Sequence, residues 1–360
     1  MPENRGFQAG RKLNAPCYLT RFIERLFMDP VTQSVLGASV PQAVSQKKYI
    51  VAATLFGAVS GMAPDLDSLI RSDTDPLMYL EYHRQFSHSL VFIPIGALIC
   101  ALVFYFLLAR RWQISFKLTY LFCLLGYATH GLLDACTSYG TQLLWPFSTE
   151  RFAWNTISIV DPLFTLPLLA LVIIGLKKKN PLFGKVALCW VIAYQGLGLY
   201  QHQRVAAVGA QLAEQRGHTP IRLEVKPSFG NLLLWKIIYE VEDGYYTDAV
   251  RAAPSLTIFP GEFITRLDIE RDLPWLDRDS QQANDLERFY WFSRGYLSLD
   301  PNNPLRVTDM RYSLVPNEGT GMWSIWFKQN AGKTEHVTMK QDRDTAGPRR
   351  EKFGRMLFGD

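Results

Sequence analysis

Four short motifs in the first half of this 360-residue chain set imidazoles and carboxylates at spacings that suit a metal ion. His83-Arg84-Gln85-Phe86-Ser87-His88-Ser89 places two of the six histidines within six residues, beside an arginine suited to clamping a phosphate or carboxylate. His130 and Asp134 stand four apart, one turn of a helix, and so share a face. Asp65 and Asp67 follow an apolar segment at Gly61-Met62-Ala63-Pro64 and can reach a common hard cation from an extended turn. Asp29 and Gln33, in Met28-Asp29-Pro30-Val31-Thr32-Gln33, are again four apart at the start of a helical segment. Imidazole and carboxylate together are the donors of zinc and manganese hydrolases.

Each motif alone has a plainer reading. Asp29 before Pro30 is also a helix cap followed by a first-turn proline. Asp65 and Asp67 are also solvated loop acids, and His130 and Asp134 also a buried hydrogen-bonded pair. What favours the metal is their company, since three of the four motifs lie beside expected membrane boundaries on one side. The expected ligands are Asp29, Asp65, Asp67, His83, His88, His130 and Asp134, holding one or two divalent ions, zinc or manganese. Arg84 would grip the anionic group of a substrate, and Asp134 would take part in the chemistry. His202, His218 and His336 have no such company.

The elements that must position these residues are mostly membrane helices. Mean hydropathy is near zero and 48% of residues are hydrophobic, but almost all long apolar runs fall between residues 49 and 200. Residues 90–109 carry no charge, enough at 1.5 Å per residue to cross a hydrocarbon core of roughly 30 Å. Residues 118–133, 162–176 and 186–200 are further spans. Residues 49–63, rich in Ala and Gly, suit close helix packing, and residues 30–44 either cross or only dip in. This makes a polytopic α-helical membrane domain of about five to six helices over residues 28–203.

Lys47 and Lys48, then Arg110, Arg111 and Lys117, then Lys177, Lys178, Lys179 and Lys185 occupy alternate connections, which the positive-inside rule makes cytoplasmic. The connections at 64–88 and 135–161, and everything after the last span, then face outward, into the periplasm of a bacterial cell. Residues 1–27, with Arg5, Arg11, Lys12, Arg21 and Arg25, contradict that parity if 30–44 crosses. Either Met28 is the true start and 1–27 is not native, or these residues lie on the cytoplasmic surface and the next helix is re-entrant.

Taken in order, MDPVTQ, PDLD, HRQFSHS, the HGLLD of residues 130–134 and SYGTQLLWPFS of residues 138–148 resemble the membrane-bound metal-dependent hydrolases of the LexA-regulated, YdjM-like family of bacterial inner-membrane proteins. NLLLW, RFYWFSRG and DMRYSL further on resemble its longer members, which add an extracytoplasmic domain. The resemblance implies a multi-pass inner-membrane protein and a metal-dependent hydrolase. It also implies a histidine where this chain has Gln33, so one ligand of the family is replaced here. A more distant likeness, to the all-helical zinc-dependent phospholipase C and nuclease fold, points toward phosphoesters.

From residue 204 the chain changes character. Strand-like runs at 221–225, 232–241, 256–259, 310–314, 322–327 and 336–339, divided by turn residues such as Asp243-Gly244, and a helix at 285–294 predict a small β-rich α+β extracytoplasmic domain over 204–334. Residues 335–360 are a charged tail, expected to be mobile.

The location favours a lipid or other amphiphile as substrate, cleaved at an ester or phosphoester at the outer face of the inner membrane. The alternative is a non-enzymatic metal-binding scaffold or envelope-stress regulator, and a transporter fits less well because the ionisable groups gather at one membrane face. A net charge of +5 spread over short clusters is no nucleic-acid footprint, and five cysteines without a CxxC pair predict neither disulfides nor a thiolate site.

Overall fold

A computed structural model describes residues 30–341 and 347–359. Asp29, the extension 1–27 and Cys17 lie outside the described residues. The first half is helical: α1 (Pro30–Val44), α2 (Ile50–Met62), a run of 3-10 turns (Ala63–Leu69), the short α3 (Met78–Tyr82), α4 (Ile93–Phe104, continued by a π turn over Tyr105–Ala109), α5 (Phe116–Cys136), α6 (Pro162–Lys178) and α7 (Leu182–Gln215). Among the described residues two helical stretches are long and apolar enough to cross a membrane, Lys47–Leu69 and Leu182–Gln215. A third counts if Met78–His88 and Ile93–Ala109, bent by 83° at their junction, form one broken span.

Small residues let the first helices meet backbone to backbone. A Cβ on Gly126 of α5 would lie 2.4 Å from the carbonyl oxygen of Gly57 on α2, and one on Gly57 would lie 2.4 Å from that of Gly37 on α1. Only glycine permits such an approach. The Ala/Gly-rich stretch expected to pack among helices does so, with Ala52, Ala53 and Phe56 buried.

Helix α7 ties the two halves together. Its 34 residues reach about 50 Å at 1.5 Å per residue, more than a bilayer core. Its last turns bury Val205, Val208 and Ala213 in one core with Val225, Trp235, Ile237 and Tyr239 of the first sheet. The Arg216 guanidinium, at the end of α7, grips both oxygens of buried Asp248 at 2.6 and 2.8 Å.

The C-terminal part consists of two antiparallel sheets. The first has the order β1 (Arg222–Pro227), β2 (Leu234–Val241), β3 (Gly244–Ala252), β4 (Leu256–Phe259), with β5 (Phe263–Thr265) also on β3. The second runs β6 (Leu297–Asp300), β7 (Asn303–Asp309), β8 (Trp323–Trp326), β9 (Thr338–Gln341). Between them come the single turn α8 (Ile269–Asp272) and α9 (Gln281–Phe292).

Several details differ from expectation. β3 and β7 do not show as strands in the sequence because Asp248, which Arg216 neutralises, interrupts the first and Pro304 and Arg306 break up the second. β6, only four residues long, carries too short a pattern to stand out. The run at 310–314 is not a strand: Arg311 turns back onto Asp309, its Nη2 2.7 Å from Oδ2. The stretch from 335 is not uniformly loose, since β9 pairs with β8 and α10 (Gly347–Phe358) buries Met356 against Leu234 and Ala249. His336, expected to stand alone, bonds through Nδ1 to Asp285 at 2.9 Å.

Candidate metal centre

Each motif is delivered by a different local device. Pro64 starts the 3-10 turns that end α2, and these turns carry Asp65 and Asp67. His83 terminates α3, and Arg84 follows in the left-handed region at φ 64°. That strained backbone is held by its N–H, which donates to Asp67 Oδ2 at 3.0 Å, and by its carbonyl, which accepts from Gln142 N–H at 3.0 Å. His88 closes a 3-10 turn (Phe86–His88) just before α4. His130 and Asp134 share one face of α5. Gly131 between them has to be glycine, because a Cβ there would meet the His88 carbonyl at 2.3 Å.

Four of these side chains point one atom each at a common spot. His88 Nε2 lies 2.9 Å from His130 Nε2, 3.6 Å from Asp65 Oδ1 and 3.2 Å from Asp134 Oδ2. His130 Nε2 lies 3.3 Å from Asp65 Oδ1 and 3.6 Å from Asp134 Oδ2. A tetrahedral ion with bonds of about 2.0–2.1 Å spaces its ligands roughly 3.3 Å apart, the middle of this range.

The hydrogen bonds leave these atoms free to ligate. His130 Nδ1 faces the Gly61 carbonyl at 2.5 Å and must be the donor, so Nε2 keeps its lone pair. His88 Nδ1 faces Ser87 Oγ at 3.0 Å and Asp67 Oδ2 at 3.1 Å, which orients its Nε2 the same way. Two lone pairs 2.9 Å apart repel unless a proton or a metal ion lies between them. Asp65 Oδ1 and Asp134 Oδ2 are buried and accept no hydrogen bond, a costly state that an ion would relieve. Charge tells the same story, because three carboxylates, Asp65, Asp67 and Asp134, stand against one guanidinium, Arg84. The deficit equals one divalent ion.

The other expected residues are drawn in differently. Asp67 accepts from His83 Nδ1 at 2.8 Å, from the Arg84 N–H and from Ser87 Oγ at 2.7 Å, so it holds the two histidine rings. Asp65, Asp67 and His83 also form a second triplet able to hold an ion, sharing Asp65 with the first. Arg84 faces Asp134, Nε to Oδ2 at 3.2 Å and Nη1 to Thr137 Oγ1 at 3.0 Å. Gln33, which stands where the family resemblance implies histidine, donates from Nε2 to Asp134 Oδ1 at 2.7 Å, while its Oε1 is buried without a partner. A third acid-histidine group, Asp75, Asp285 and His336, already contains a cation: Arg288 bonds Asp75 and Asp285.

Two contributors carry no signal of their own in the sequence. Ser87 sits inside HRQFSHS as a plain spacer. Tyr139 packs its ring 4.7 Å from the Arg84 guanidinium carbon and 6.0 Å from the His83 ring. Burial pushes its phenol up to about 12, so it stays neutral.

Known proteins resemble parts of this chain. Over 161 residues, 43% of this chain and 48% of the relative, it is 27% identical to the uncharacterized protein YfhP of Bacillus subtilis strain 168. Over 108 residues, 29% of this chain and 60% of the relative, it is 33% identical to the inner membrane protein YbcI of Escherichia coli K12. The chain thus spans about half to three fifths of the length of these relatives. No solved structure matches it. Residues 28–205 match the model of the YdjM inner membrane proteins, so this segment of the chain is similar to that family.

Proposed function

We propose that this protein is a metal-dependent hydrolase of the bacterial inner membrane, cleaving an ester or phosphoester of a lipid-like substrate at the outer face. The observation that carries the reading is the convergence of His88 Nε2, His130 Nε2, Asp65 Oδ1 and Asp134 Oδ2, with neither carboxylate oxygen hydrogen-bonded and only the Arg84 guanidinium, 3.2 Å from Asp134 Oδ2, beside them. Zinc or manganese suits this donor set. The lysine and arginine clusters support a cytoplasmic position for the alternate loops through the positive-inside rule. α1 to α7 then supply five or six crossings, and the C-terminal domain lies in the periplasm.

When bound, a divalent ion supplies Lewis acidity toward an ester oxygen and makes water nucleophilic near neutral pH. The protein's part is positional. Asp67 and the Gly61 carbonyl fix the histidine tautomers. Gln33 and Arg84 hold the two oxygens of Asp134. Arg84 also supplies fixed positive charge beside an arriving anionic group. In the reaction one water splits the ester: its oxygen bonds to the acyl carbon or phosphorus, the C–O or P–O bond to the leaving alcohol breaks, and one of its protons goes to that alcohol's oxygen.

The competing reading is a structural metal in a non-enzymatic scaffold, which four protein ligands around a tetrahedral ion would favour. Against it, the ligand set is not sealed, for the Asp65 side chain is 12% exposed whereas His88, His130 and Asp134 are wholly buried. The test is metal content by mass spectrometry on detergent-purified protein, wild type beside His88→Ala and His130→Ala, followed by assay on lipid phosphoesters. Stoichiometric metal lost in both variants, with turnover in the wild type, is expected. A metal-free wild type after reconstitution would overturn the hydrolase, and bound metal without turnover would favour the scaffold.

A further inference from the structure

Asp65 is the one of the four whose side chain reaches the surface, 12% exposed although its Oδ1 is buried, and its surroundings are apolar. Val51, Leu55, Val59, Met62, Leu66 and Leu69 are all exposed. They recur every three or four residues, so they form a single stripe along Lys47–Leu69. Leu66 and Leu69 eclipse each other because 3-10 turns repeat every three residues, and both are 65% exposed. The opposite face of α2 is packed into the protein through Ala52, Ala53 and Phe56. The stripe that faces lipid therefore continues without a break to the residue next to Asp65.

The other side of the centre is filled. Tyr139, lying on Arg84 and His83, packs its far side on Phe292 at 5.4 Å and Trp323 at 6.2 Å of the C-terminal domain. Leu77 and Leu80, just before His83, are buried in that domain's core with Leu286 and Phe289. Arg288 ties down the same segment through Asp75 and Glu81, and the Tyr312 hydroxyl donates to the Ser138 carbonyl at 2.5 Å.

We infer that the centre is entered sideways from the bilayer: a membrane lipid lays its acyl chain along the Met62, Leu66, Leu69 end of the stripe and brings its ester headgroup to Asp65, while the C-terminal domain roofs the aqueous side. Continuity of the stripe with the lipid-facing surface identifies the occupant. Hydrocarbon along these leucines costs nothing there, whereas a soluble metabolite would leave them in water. The inference rests on the hydrolase reading for what happens to the headgroup, but the route itself can be tested without turnover.

The experiment places a benzophenone side chain at Leu66, and in a second protein at Tyr290, exposed on the roof. Both full-length proteins go into nanodiscs of phosphatidylethanolamine and phosphatidylglycerol and are irradiated, and adducts are read by mass spectrometry. Phospholipid adducts at 66 and their loss at 290 are expected. They should persist when His88→Ala removes a proposed ligand, and adducts intact on a wild type without turnover would sink only the hydrolase. No lipid adduct at 66, or equal adducts at both positions, would overturn the route. Folding of each variant is checked by its elution as the wild-type species.

Discussion

Gln33 and Asp134, 101 residues apart, share a buried hydrogen bond of 2.7 Å from Nε2 to Oδ1, which leaves the other oxygen of the carboxylate turned toward His88 and His130. The amide thus aims the Asp134 carboxylate toward the proposed ion position. Partners of this sort typically contribute about tenfold to a hundredfold in metal affinity. Gln33→Leu should weaken metal binding by about that factor while leaving the fold intact, as read by competition with a chelating dye; unchanged affinity would mean that Arg84 alone positions Asp134.

Asp67 offers a second test of the same logic. Asp67→Asn keeps the shape but gives up a charge and puts a donor where four groups now donate or face it. Metal affinity should fall by roughly tenfold or more, less than for loss of a ligand in His88→Ala. Equal losses would place Asp67 among the ligands, with Asp65 and His83.

Arg288 joins the two halves of the molecule through Asp75, Glu81 and Asp285. Removing it leaves Asp285, wholly buried, with His336, Gln281 and the Val337 N–H. Arg288→Ala should cost about 1–3 kcal/mol. It should also make the segment around α3 more susceptible to protease, while Arg278→Ala, at an exposed pair, should do neither.

Lys236 provides a pH signature. Its ammonium is buried in β2 opposite Lys226 and bonds to Ser313 Oγ at 3.0 Å. Burial, with Lys226 adding to it, pushes the amine down to about 7. The unfolded chain keeps the ordinary value near 10.5, so between pH 7 and 10.5 it binds more protons than the folded one. Stability should therefore rise with pH across that window, by up to about 1.4 kcal/mol per unit, and the full penalty should be present below pH 7. Lys236→Met should raise the melting temperature at pH 7 and flatten the dependence over pH 7–9.

Much of this protein is readable from its sequence because the signals are local. Apolar runs without charge mark the helical half, and the i, i+4 spacing alone puts His130 and Asp134 on one face of α5. The HRQFSHS and PDLD motifs name donors that the structure brings together in groups able to hold an ion, since imidazole and carboxylate chemistry does not depend on the fold. Strands such as β2 and β4 show through their apolar character, whereas β3 is hidden because Asp248 needs Arg216, 32 residues earlier, to neutralise it.

What only the tertiary structure decides is how those donors divide their work. Asp65 and Asp67 are two residues apart and chemically the same, yet Asp65 keeps an oxygen bare toward the histidines while Asp67 is saturated by donors from the His83 segment. That distinction depends on where a 3-10 turn meets a loop 16 to 20 residues later. The same holds for Gln33 on Asp134 and for Tyr139 beneath Phe292 and Trp323. Composition and periodicity report which solvent a segment prefers; the direction of a lone pair depends on packing between elements far apart in the chain.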